Sequence, residues 1–90
     1  MAADRVSKDT RIIQALVKYT HDDARAVPVR SGAQGIRQWE VYTGSHHVND
    51  YVGSIFCETK ADIWMSNPAH EQPTNHATVQ NAVRELMKWA

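Results

Sequence analysis

Two helical stripes that bracket a run of aromatic and β-branched residues predict an α+β fold for this 90-residue chain. The first stripe is Ile12, Ile13, Leu16 and Val17, and the last is Val79, Ala82, Val83, Leu86, Met87 and Ala90. Between them, residues 37–43, 51–57 and 61–66 have strand composition. The expected architecture is a small three-stranded antiparallel sheet flanked by an N-terminal and a C-terminal helix, in α-β-β-β-α order. A fourth strand is added if residues 27–30 pair. At 10.2 kDa the chain reads as one domain, residues 1–90.

The first helix is expected from Ser7, as N-cap, to about Thr20, with Asp9 in its positive first turn. Lys8, Arg11 and Lys18 project opposite the apolar stripe and form a short basic face. Residues 26–30 read as an edge strand or a loop, because Pro28 fixes its φ and lacks a donor. Gly32 and Gly35 punctuate a turn over residues 31–35. Ile36-Arg37-Gln38-Trp39 follows instead of the Gly-Lys-Ser/Thr and helix of a phosphate-binding loop.

Within the sheet, residues 44–50 make a long polar loop and Glu58-Thr59-Lys60 a tight hairpin whose register the sequence leaves open. A one-residue slip there exchanges the two faces of a strand. Residues 67–77, with Pro68 and Pro73 and no periodicity, read as a crossing loop. Thr78 then has N-cap chemistry for the second helix.

Composition and charge narrow the function. Ten Lys and Arg balance ten Asp and Glu, which removes the general electrostatic warrant for nucleic acid or an anionic membrane. The single Cys57 cannot close an intrachain disulfide, and no apolar run resembles a leader or a span, so a cytoplasmic location is expected. Five histidines, His21, His46, His47, His70 and His76, raise metal binding, but no CxxC, HxxxH or HExxH spacing is present, and no metal or cofactor is expected. Cys57 lies mid-strand, and Asp22, Asp23 and Asp50 lie in solvated settings, so no catalytic residue is expected.

Gly44-Ser45-His46-His47, between the first two strands, is similar to the Gly-Pro-x-His loop of double-stranded RNA-binding domains, and the α-β-β-β-α order resembles that family's topology. The resemblance implies that this loop, which carries His46, enters an RNA minor groove. The family's lysine run at the start of the second helix corresponds here to Thr78-Val79-Gln80-Asn81, with no positive charge to clamp phosphates. The resemblance is therefore one of architecture.

Strand alternation places aromatic residues on both faces of the sheet, since Trp39 and Val41 part from Tyr42, and Tyr51 and Ile55 part from Val52 and Phe56. Either the helices cover one face each, or one face meets another chain. The expected function is a non-catalytic protein-binding or regulatory module of adaptor or inhibitor type, a size class that includes proteins of phages and mobile elements. Its partner would be a protein or a second copy, and Tyr42, Val52, Phe56 and Trp64 are the candidate contact residues. The first alternative is a nucleic-acid-associated module using Lys8, Arg11, Lys18 and His46, and the second is a small metal-dependent or interface-sited enzyme.

Overall fold

A computed structural model describes residues 2–29, 36–44 and 50–90, which form two helices and a five-stranded antiparallel sheet, an α+β fold. The strands follow one another as a meander, in the spatial order β1-β2-β3-β4-β5. The expected turn over residues 31–35 lies outside the described residues.

Helix α1 spans Ala2–Thr20, so Ser7 lies inside it and is not its N-cap. The physical reason is that residues 2–6 contain no glycine or proline to stop a helix from starting earlier. Ile13 and Val17 are fully buried and Leu16 packs beside them, whereas Ile12 is turned outward. A turn closed by the Ala24 N–H on the His21 carbonyl (2.9 Å) leads into β1, Arg25–Val29.

Pro28 is tolerated in β1 because this strand is an edge. The Ala26 N–H points away from β2 and donates to Gln14 Oε1 at 2.8 Å. Strand alternation puts the Pro28 nitrogen on that same outer side, where the ladder needs no donor.

Strands β2, Ile36–Thr43, and β3, Asp50–Glu58, pair with Trp39 opposite Ile55 and Arg37 opposite Cys57. The pairing slips once. Val41 faces Gly53 and Tyr42 faces Tyr51, so Val52 is an extra residue, a β-bulge. Strand β4, Ile63–Pro68, then pairs with β3 to place Cys57 opposite Trp64, Phe56 opposite Met65 and Ile55 opposite Ser66.

The β3–β4 connection is longer than the expected tight hairpin. Residues 59–62 turn the chain, Asp62 takes a left-handed φ of 53°, and its N–H donates to the Glu58 carbonyl at 2.9 Å. Asp tolerates that conformation better than most residues, and β4 consequently starts at Ile63 and not at residue 61.

Residues 67–77 are not wholly a loop. They contain β5, Thr74–His76, which pairs antiparallel with residues 64–66. Helix α2, Val79–Met87, opens as expected, with Thr78 accepting from the Asn81 N–H at 3.2 Å, and it buries Ala82, Val83, Leu86 and Met87.

Both helices lie on one face of the sheet. Trp39 is fully buried under α1, its indole N–H donating to Thr10 Oγ1 at 2.8 Å. Its ring stacks on Trp64 with centroids 5.8 Å apart. Two strands away from β1, on the same face, Leu86 of α2 lies over Gly53. The arrangement with one helix on each face is thereby overturned, since α1 and α2 also pack on each other and share a single core.

Candidate functional site: the open sheet face

The opposite face of the sheet carries no helix among the described residues. Register fixes which residues lie on that side, Ser54 among them although it is 2% exposed. Arg25, Tyr42 and Tyr51 form one end row across the strands, and Val27, Glu40, Ser54 and Asn67 form the next. Val29, Gln38, Phe56, Met65 and Asn75 follow, and Ile36, Glu58 and Ile63 close the far end. The two ends differ in chemistry.

At the first end the Arg25 guanidinium lies 5.3 Å from the Tyr42 ring centroid, and Tyr42 and Tyr51 meet at 5.5 Å with a 53° tilt. The Tyr42 hydroxyl donates to Glu40, and the Tyr51 and Ser54 hydroxyls are 2.6 Å apart. The hydrogen bond to the Glu40 carboxylate holds the Tyr42 phenol above its ordinary pKa, because ionisation would lose the donor and set two anions together. These polar links fix the rings in place.

At the other end Ile36, Phe56, Ile63 and Met65 surround a hollow of about 280 Å³, with the Glu58 carboxylate as its charged member. Ile63 is 39% exposed. Adjacent strands place these side chains side by side, so the apolar surface is continuous.

Of the four contact residues expected from sequence, the structure brings Tyr42 and Phe56 to this face. Val52 and Trp64 are on the other side, 5% and 8% exposed in the core. Their displacement has two physical reasons. The bulge turns Val52 inward and brings Tyr51 out beside Tyr42, and the β3–β4 register aligns Trp64 with Cys57 and not with Phe56. Ile36, Glu58, Ile63 and Met65 were missed as site residues. The alternation of Ile63 and Met65 about Trp64 was visible in sequence, but its direction depended on that register.

Lys8, Arg11 and Lys18 are exposed on the outer surface of α1, across the molecule from the open face. His46 lies outside the described residues. His21 and His70 are exposed and His76 contacts Thr74 Oγ1 at 2.8 Å. Among the described residues no three His, Cys, Asp or Glu side chains converge as metal ligands.

Cys57 is buried, and its sulfur accepts an N–H of Arg37 at 3.1 Å. Burial pushes its thiol pKa up more than the neighbouring guanidinium pulls it down, so the sulfur stays protonated and a poor nucleophile. Arg37 in turn pairs with Asp9 and lies 5.9 Å from the Trp64 ring centroid.

No protein-family model, no curated protein and no solved structure matches the chain. Among the described residues no helix is long and apolar enough to cross a membrane.

Proposed function

We propose that the chain is a non-catalytic protein-binding module of adaptor or inhibitor type, acting in the cytoplasm through its open sheet face. The observation that supports this reading is the contiguous group of Phe56, Met65, Ile36 and Ile63 on a face that no described element covers. A sheet in an α+β domain buries one face and normally solvates the other, so an apolar hollow on the second face supports its reading as a contact surface. The fixed Tyr42–Tyr51 pair beside it adds rigid, amphipathic rings of the kind that dominate interface energies.

The test compares Phe56→Ser and Tyr42→Ser with Leu86→Ala in two measurements, thermal melting by circular dichroism and capture of protein partners from the native cell. The face variants are expected to melt near the parent and to lose capture, whereas Leu86→Ala loses stability. If the face variants melt as low as Leu86→Ala, or capture the same proteins as the parent, the reading fails.

A further inference from the structure

We infer that the open face takes an amphipathic helix whose apolar anchors are flanked by Lys or Arg, an inference that rests on the protein-binding reading of that face. The sheet edges argue against an added strand. Along the outer side of β1, the Ala24 and Ala26 N–H groups already donate within the chain and Pro28 has none, while β5 offers three residues. Recognition must come from side chains on the face.

The dimensions of the face then select the occupant. Four rows along the strands span about 20 Å, and β1 to β4 span about 14 Å, from the repeat and spacing of strands. Projected between strand axes that footprint is about 300 Å², small beside the roughly 800 Å² of accessible surface that each partner buries in stable protein pairs, so a flat second copy of this domain gains little from it. A single helix about 10 Å wide and about 13 residues long runs the length of the face and covers about two thirds of that area, adding a third layer over the sheet.

Charge supplies the last element. Glu58 stands between Ile36 and Ile63 in the end row, exposed and without an ion-pair partner among the described residues. Glu40 already accepts from Tyr42, and the Arg25 guanidinium lies against the Tyr42 ring at the far end. An apolar anchor seated in the hollow therefore brings its helical neighbours to an unneutralised carboxylate. Lys and Arg suit that position because their stems extend over apolar surface while the head reaches the anion.

The experiment uses two fluorescein-labelled amphipathic peptides of 14 residues, one of Leu and Lys and one of Leu and Glu, titrated with the full chain by fluorescence anisotropy. The Leu/Lys peptide is expected to bind about tenfold or more tighter, a ratio that shrinks with salt. Phe56→Ser and, at an already exposed position, Ile63→Ser should each abolish its binding, with folding checked by circular dichroism. Glu58→Gln should weaken it several-fold, and Lys18→Ala, on the opposite surface, should leave it unchanged. Equal binding of the two peptides through Phe56 and Ile63 overturns the charge assignment and leaves the face reading standing. Absence of Leu/Lys binding, or binding that survives both serine variants, overturns the inference altogether, as does sedimentation showing a second copy on the face. The capture experiment above judges the face reading separately.

Discussion

Leu86 stands where a side chain on Gly53 would have to go: a Cβ built on Gly53 would meet Leu86 Cδ1 at 2.7 Å. The same Cβ would lie 2.4 Å from the Asn67 carbonyl oxygen and 2.8 Å from Pro68 Cα, both backbone atoms of β4 that cannot rotate away. Gly53 also holds a φ of 153°, beyond what a side chain normally permits. Gly53→Ala is therefore expected to destabilise the protein by at least as much as Leu86→Ala, for which loss of the three buried carbons beyond Cβ costs about 2–5 kcal/mol. Urea unfolding of the two variants beside the parent checks it; a Gly53→Ala midpoint equal to the parent's would contradict the close packing of Leu86 on Gly53.

The Asp9–Arg37 pair ties α1 to the sheet, with side chains 15% and 16% exposed. Removing one member leaves the other largely desolvated and without its partner. Asp9→Ala is expected to cost about 1–3 kcal/mol, less than breaking a fully buried pair because some water remains. The predicted change is a lowered urea midpoint with an unaltered slope, and a double-mutant cycle with Arg37→Met isolates the coupling.

Tyr42 provides a pH signature of the open face. Its phenol is held above the ordinary value by donation to Glu40, so the bond's contribution is fully present below the unfolded-state pKa and is lost as pH rises through the folded-state one. Ultraviolet titration should show one phenol ionising later than the reference value of about 10. That late step should move down in Glu40→Gln and vanish in Tyr42→Phe. An unchanged titration in Glu40→Gln would remove Glu40 as the cause.

Cys57 should resist thiol reagents in the native state. It is fully buried with a raised pKa, so alkylation at pH 8 should follow the rate of opening and not the reagent's intrinsic rate. Because the folded-state pKa is the higher one, the contribution of the neutral thiol to stability is lost as pH rises from the unfolded-state value through the folded-state one. Stopped reactions with iodoacetamide, with and without urea, measure the protection directly.

The basic outer surface of α1 predicts only weak nucleic-acid affinity. Lys8, Arg11 and Lys18 are exposed there, but the chain's net charge is zero and the start of α2 has no positive residue. Binding to duplex RNA at about 150 mM salt should be no tighter than the non-specific range of roughly 10⁻⁴ to 10⁻⁶ M. A tighter complex weakened by Lys18→Glu would move the function to that surface.

The parts of the fold that were legible in sequence are those with long periodic patterns. The α2 stripe from Val79 to Met87 and the three central strands carry their own signals. Strand β5 does not, because Thr74–His76 is three residues without an apolar alternation, paired only through backbone bonds to β4. The site was half legible. Phe56 and Tyr42 follow simple alternation, but the exchange of Tyr51 and Val52 depends on a bulge whose one sequence trace is the glycine after Val52. Which face both helices share is a long-range matter of packing, in which Gly53 takes part by leaving room for Leu86 of α2.

The outer margin of β1 has one more consequence. A bare strand edge is a template on which other extended chains stack, and the first step toward fibrils is usually such an unguarded ladder. With the amides of Ala24 and Ala26 occupied and Pro28 unable to donate, the sheet terminates itself at that margin. Polymerisation through the backbone is thus blocked at the β1 margin, so a domain that carries an apolar hollow in plain view does not also offer an open ladder there.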